Sequence, residues 1–266
     1  MESTMKRIGI VGCGYLANVV ADALIRGLLP DYELVGAYSR MVAKTERLSA
    51  KMKQHGMECR VCTNLNDLLA LKLDYLVETA SPAGMREVAL PALKSGASLV
   101  TLSIGALADS QFHQEVMQTA KENDTRVYIA SGATGGFDVL RTATLMGNAS
   151  ANFFNEKGND RLRNSVVYDP VLEKEERVVF SGTAQEAIQV FPTGLNVAVA
   201  ASLASVGPEK MQVKMQSTPG FIGDTQRVEI KNDQVHATID VYSATPEIAG
   251  WSIVSTLRNI ASPIVF

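Results

Sequence analysis

Residues 6–24 read KRIGIVGCGYLANVVADAL, and the organisation of the chain follows from them. A short apolar run (Ile8, Ile10, Val11) meets Gly12-Cys13-Gly14 and passes into a segment of helical apolar period. That is strand, tight glycine turn, helix. Gly12 permits the turn, Gly14 lets backbone approach a pyrophosphate, and the small Ala17 lets the helix pack close to the strand. The unpaired N–H groups at the start of such a helix, with its positive dipole end, receive the phosphates. Gly12, Gly14, Tyr15 and Leu16 are therefore candidate cofactor contacts. A bare G-x-G-x-x-A is a weak signal, and its place near the N-terminus between strand and helix makes it a strong one.

The second strand, Glu33 to Tyr38, carries the next clue. A dinucleotide fold that prefers NAD ends this strand with Asp or Glu, which bonds the ribose 2′-hydroxyl. Here the end reads Tyr38-Ser39-Arg40. A hydroxyl followed by a guanidinium suits a 2′-phosphate, to which Arg makes charge-assisted and often bidentate bonds. Ser39 and Arg40 predict a cofactor of NADP or NAD, with NADP favoured. The competing reading makes Arg40 a solvated loop residue.

Composition narrows the classes. A chain of 266 residues holds one large unit or two modest ones, and 46% hydrophobic residues allow a sizeable core. A net charge of −3 gives no electrostatic footprint for nucleic acid or an anionic membrane. No apolar run approaches the ~20 residues that span a bilayer. The opening MESTMKR has no apolar leader region, so a cytoplasmic protein is expected. Three cysteines, Cys13, Cys59 and Cys62, do not make a disulfide scaffold. Cys59 and Cys62 have C-x-x-C spacing, but a strand through them would point them to opposite faces, and no metal site is expected.

Strands and helices alternate through the first half. Strands are expected near 58–62, 74–79, 98–102 and 126–130, with helices at 42–55, 66–70 (capped by Asn66), 84–95 and 109–123. The fourth strand ends at Ala80-Ser81-Pro82, a loop at a carboxyl end where open α/β sheets bind ligands, so Ala80 and Ser81 join the candidate contacts. After residue 131 the pattern changes. SGATGG at 131–136 precedes a helix at 137–146. Residues 148–168 are polar and poorly periodic, with a strand and long loops as one reading. Helices are expected at 183–191 and 195–204, and 212–217, 225–231 and 234–242 alternate with period two, as half-buried antiparallel strands do. The fold class is α/β: a doubly wound parallel dinucleotide-binding (Rossmann) domain over 1–131 and a second α+β domain over 132–245 with a mainly antiparallel sheet. A final helix within 246–266 is a candidate to pack back on the first domain.

Several segments together resemble the L-aspartate dehydrogenase family: GCGYLA at 12–17, VETAS at 77–81, LSIGALAD at 102–109, SGATGGFD at 131–138, SGTAQEA at 181–187 and FPTGLNVAVAASLA at 191–204. The resemblance covers nearly the whole chain, and the 131–138 and 191–204 segments are the specific ones. It implies hydride transfer between NAD(P) and the Cα of an amino acid or imine, with L-aspartate and iminosuccinate (oxaloacetate plus ammonia in reverse) as the pair. It also implies cofactor contacts at Ala133 and Asn196, a homodimer built on the second domain's sheet, a small dicarboxylate or amino-acid substrate, and a place in NAD biosynthesis.

The departures are as informative. The family's catalytic His sits in a segment resembling Asn-x-His-x-x-Glu, and the matching residues here are Asp224-Thr225-Gln226-Arg227-Val228-Glu229. Gln226 holds the His position; it hydrogen-bonds but exchanges no proton near neutral pH. General acid–base help is worth about 10²–10⁴ in rate. The family's Asn-Pro-Lys-Thr-Ser stretch is also absent at 245–252, and Gly194 stands where a family Asn is common. His236 is the alternative acid–base candidate, although its strand alternation puts it opposite Val235, Ala237, Ile239 and Val241. A dicarboxylate needs a cationic clamp, for which Arg141, Lys157, Arg161, Arg163 and Arg227 are available. Two other readings stay open: a reductase of a different imine or 2-keto acid, and a non-catalytic NAD(P)-binding sensor.

Overall fold

The computed structural model describes residues 5–192 and 194–266. Met1–Thr4 and Thr193 of the FPTG segment lie outside the described residues. The chain forms two compact units. The first comprises the chain through Ala106, Ser110–Ala130 and Ala249–Phe266; the second comprises Leu107–Asp109 and Ser131–Ile248.

The first unit alternates β1 (Lys6–Val11), α1 (Tyr15–Ile25), β2 (Tyr32–Tyr38), α2 (Val42–Gln54), β3 (Arg60–Cys62), α3 (Leu65–Leu69), β4 (Tyr75–Glu78), α4 (Pro82–Lys94), β5 (Ser98–Thr101), α5 (Ser110–Glu122) and β6 (Val127–Ile129). The strands are parallel in the order β3-β2-β1-β4-β5-β6. This is the doubly wound order whose switch point lies at β1, and ligands bind outside the carboxyl ends of its strands. Ile8, Ile10, Leu76, Val77, Leu99 and Val100 are fully buried, the two-sided burial that parallel strands require. Helix α3 starts one residue earlier than its pattern suggests. Asn64, not Asn66, caps it, its side chain accepting from the Asp67 N–H at 2.9 Å.

The unit is completed by the last helix, α9 (Glu247–Ala261), whose Ile253 and Leu257 are buried in the core of the parallel sheet. Gly250 makes this packing possible. A β-carbon there would stand 2.7 Å from Cβ of Val19 on α1. The Tyr32 hydroxyl donates to the Leu257 carbonyl at 2.7 Å, fastening the helix to β2.

The second unit contains α6 (Phe137–Leu145), β7 (Ser150–Gly158), β8 (Arg177–Thr183), α7 (Ala184–Val190), α8 (Asn196–Leu203), β9 (Gln212–Thr218), β10 (Asp224–Lys231) and β11 (His236–Ser243). Its sheet runs β11-β10-β7-β9-β8; β7 and β9 are parallel, and the other neighbours are antiparallel. The central strand, β7, comes from the polar, poorly periodic stretch 148–168. Its inward residues are Ala151, Phe153, Asn155 and Lys157, of which two are polar, and this weakens the period-two signal. Phe153 packs with Val213, Met215, Val228 and Ile230 under Leu140, Ala187 and Ala198 of the covering helices. Helix α7 opens with a capping box, Thr183 and Glu186 bonding each other's backbone N–H.

Candidate functional site

The first candidate site lies at the carboxyl ends of β1, β2 and β4. Gly12 has φ +89°, and a β-carbon there would stand 2.6 Å from the Ala80 backbone, so the turn admits only glycine. Gly14 caps α1 with open space where a side chain would be. The helix has no side-chain cap and no acidic residue in its first turn. Ala17 is fully buried against the strand. A concave surface joins this turn to Ser39, Arg40 and Lys44 on one side and to Thr79 and Ala80 on the other. An uncapped helix start, an unfilled cradle at Gly14 and two cations beyond the end of β2 fit a dinucleotide's pyrophosphate and adenosine end. Lys44 was not singled out in the sequence because it lies inside a charged helix, where most cations are solvated.

Glu78 is a residue of this site that motif reading passed over. It is fully buried at the end of β4. Its Oε1 accepts from the Ala80 N–H at 2.7 Å, the Ser81 N–H at 3.2 Å and the Ser103 hydroxyl at 2.8 Å. Its Oε2 accepts from the Thr101 hydroxyl at 2.6 Å and the Ser103 N–H at 3.2 Å. Burial raises its carboxyl above the usual range, with these hydrogen bonds pulling the other way. Ala80 and Ser81 therefore have their N–H groups directed into the protein. Ser81 also caps α4, accepting from the Gly84 N–H at 3.1 Å. What this loop can offer a ligand is its shape more than its backbone donors.

The second candidate site is a row of polar side chains on the inward face of the second unit's sheet. Register places Gln226 opposite Asn155, and Asp224 opposite Lys157, which in turn faces Ser217 on β9. Asn155 and Ser217 are fully buried, and Gln226 and Lys157 are nearly so. The Asn155 amide donates to the Thr225 carbonyl at 3.0 Å. Yet Asn155 Oδ1, Ser217 Oγ, Asp224 Oδ1 and Gln226 Oε1 are shielded from solvent and form no hydrogen bond. Lys157 Nζ lies 3.4 Å from Asp224 Oδ1, an ion pair without hydrogen-bond geometry. Buried polar atoms are nearly always hydrogen-bonded, so four atoms without a hydrogen bond on adjoining strands make this row a candidate place for a polar guest.

His236 does not join this row. It lies on the opposite, exposed face of the edge strand β11 and is bonded to Glu229. Residues 236 and 226 have opposite strand parity under the register that pairs Lys231 with His236. Arg227 points to that same outer face and is paired with Asp240. Arg141, Arg161 and Arg163 are exposed, so of the cations singled out in the sequence Lys157 alone is buried. Of the other predicted contacts, Ala133 lies in the SGATGG loop and Asn196 opens α8. The two segments meet, since a β-carbon on Gly132 (φ +65°) would lie 3.3 Å from Val197. Thr134 in the same loop has a buried hydroxyl without a hydrogen bond.

Cys59 precedes β3 instead of lying within it, and Cys59 and Cys62 are both buried. Desolvation pushes the Cys59 thiol up to about 12, which leaves it inert. Among the described residues no group of His, Cys, Asp or Glu is arranged to hold a metal, and no helix is long and apolar enough to cross a membrane.

A doubly wound sheet with a glycine nucleotide turn, joined to an α+β unit with a buried polar row, defines the class of two-unit nicotinamide-dinucleotide oxidoreductases. Within that class the chain belongs to the L-aspartate dehydrogenase family. Residues 138–260 match the family described as aspartate dehydrogenase, C-terminal, and residues 12–130 match homoserine dehydrogenase, NAD binding domain. The chain is 31% identical to an L-aspartate dehydrogenase of Methanocella arvoryzae over 98% of each chain, and equally so to one of Methanosarcina acetivorans. The crystal structure of aspartate dehydrogenase from Thermotoga maritima superposes with a TM-score of 0.75 at 26% identity, covering 98% of this chain and 99% of that one. A homoserine dehydrogenase from Thiobacillus denitrificans shares the fold, with a TM-score of 0.60 at 15% identity over 98% and 76% of the two chains.

Proposed function

We propose that this protein is an L-aspartate dehydrogenase that prefers NADP(H). The observation that carries the reading is the pairing of an open nucleotide turn at Gly12 and Gly14 with a buried, unsatisfied polar row containing Lys157, in a chain that aligns end to end with relatives of that name. When bound, the nicotinamide exchanges hydride with the substrate Cα. The chain's own residues do the rest. The Gly12–Leu16 turn seats the pyrophosphate, Ser39, Arg40 and Lys44 take a 2′-phosphate, and Ala133 and Asn196 contact the cofactor. Lys157 holds a substrate carboxylate, and the Gln226 and Asn155 amides orient the reacting carbonyl or imine. Rate then rests on positioning and preorganised polar groups. The protein is taken to work as a homodimer, as the family resemblance implies.

The test is oxidation of NADPH and of NADH, run separately, with oxaloacetate and ammonia. Ammonia-dependent turnover, faster with NADPH at low concentration, is the expected result. Turnover that ignores ammonia, or that requires another keto acid, replaces the substrate. Gln226 favours a second reading as a cofactor-binding sensor, for which tight NADPH binding without turnover is the signature.

A further inference from the structure

Oxidation of an amino acid needs a group that accepts a proton from its ammonium, and Gln226 cannot serve. We propose, building on the dehydrogenase reading above, that Asp224 is the proton-transfer residue of this chain and that Lys157 is its positioning partner. Asp224 stands two residues before Gln226 on the same strand, and so on the same face. On this face the strand reads Asp224-x-Gln226, so the titratable group stands at 224 and the amide at 226.

The surroundings suit the role. Asp224 Oδ1 is shielded and accepts no hydrogen bond, while its side chain as a whole keeps 26% of its surface open, enough to meet a substrate nitrogen. On that face β7 presents Asn155 and Lys157, β11 presents Val241 and Ser243, and β9 beyond β7 presents Ser217. The turn after β7 brings Asp160, whose Oδ1 lies beside Gly158. Helix α6, packed on β10, carries Asp138 and Arg141, both exposed. Glu156, Glu229, His236 and Asp240 belong to the opposite strand parity. A carboxylate beside an ammonium also matches the two charges that an α-amino acid carries on one carbon: carboxylate to Lys157, ammonium to Asp224.

The step balances. The substrate ammonium gives one proton to an Asp224 oxygen. The freed nitrogen lone pair forms the C=N bond as the Cα–H bond breaks, and the hydride passes to the oxidised nicotinamide. Amino acid, carboxylate and oxidised cofactor become iminium, carboxylic acid and reduced cofactor; Asp224 then returns its proton to water.

The experiment follows aspartate oxidation by the wild type and by Asp224→Asn, Asp224→Glu and the double variant Asp224→Asn/Gln226→His, over as much of the range from about pH 3.5 to 9 as the folded enzyme tolerates. NADPH binding and near-ultraviolet circular dichroism are measured on each. Expected are a wild-type kcat/KM that falls on the acid side with one proton, and a loss of about 10²–10⁴ in kcat for Asp224→Asn with its acid limb gone and NADPH affinity kept. Asp224→Glu keeps the limb, and the double variant, which rebuilds Asn-x-His, recovers at least about tenfold. An Asp224→Asn enzyme with kcat within about threefold of wild type overturns the proposal. So does a wild-type profile without an acid limb, which needs no variant at all. A wild type that binds NADPH but oxidises no amino acid overturns the dehydrogenase reading, and this proposal with it. Amino-acid turnover that survives Asp224→Asn overturns this proposal alone.

Discussion

The two units handle buried polar groups in opposite ways. At the end of β4, the Glu78 carboxylate is fully buried and five donors converge on it. At the far end of β7 and β9, oxygens of Asn155, Ser217, Asp224 and Gln226 are shielded and accept nothing. An unsatisfied buried polar group costs about 1–3 kcal/mol, so the second arrangement lowers the stability of the unit that carries it. The first arrangement is scaffold: it shapes the Ala80–Ser81 loop that is proposed to border the cofactor. The second has the character of a binding surface, in which partners are left for a ligand to supply.

Substitutions at four positions test this contrast. The largest effect is expected at Gly12→Ala. A positive φ and a β-carbon 2.6 Å from the Ala80 backbone should cost about 4 kcal/mol or more in stability. Titration with NADPH should show no saturable binding; unchanged binding would remove the turn from the cofactor site.

Glu78→Ala strips five donors of their acceptor and should cost about 3–4 kcal/mol, read as a fall in Tm and weaker cofactor binding. Its pH dependence has a definite sign. The folded carboxyl is raised by burial, so the stability linked to its titration is fully present below the unfolded value and is lost as pH rises through the folded one. The stability advantage of wild type over Glu78→Gln should shrink between mild acid and neutral pH. An advantage that grows over that window contradicts the scaffold assignment.

Arg40→Ala should weaken NADPH binding by about 10–100-fold, the worth of a charge-assisted bond at about 1.5–3 kcal/mol, and leave NADH within about twofold. Equal losses for both cofactors would return Arg40 to the solvated-loop reading.

The smallest change is the sharpest probe of the comparison. Gln226→Met keeps the volume and removes an unpaired oxygen, so unfolding in urea should show a gain of about 1 kcal/mol while the KM for the amino acid rises. A loss of stability would mean that Gln226 is scaffold, as Glu78 is.

Much of the nucleotide unit was legible in the chain. Strand, glycine turn and helix are local events, and GCGYLA with its flanking apolar runs specifies them within about twenty residues. Lys44 and Glu78 escaped because nothing nearby in sequence distinguishes them: one lies among helix charges, and the other meets Thr101 and Ser103 only when β4 and β5 pair. The second unit was harder to read. Asn155 and Lys157 broke the apolar alternation of β7 and so weakened its strand signal, and they are the same polar residues that are proposed to meet the substrate.

By itself, then, the sequence determined the strand–helix alternation of a doubly wound sheet, the glycine turn, the absence of a carboxylate at the end of β2 and the glutamine at position 226, where the resemblance implies a His. Those features depend on residues near one another in the chain, or on a single position. Tertiary structure decided that Lys157 and not the surface arginines is the buried cation, that His236 faces away, and that α9 closes the core of the first unit. Each of these depends on strand register or on packing between residues far apart in the chain, where a shift of one residue turns a side chain from one face of a sheet to the other.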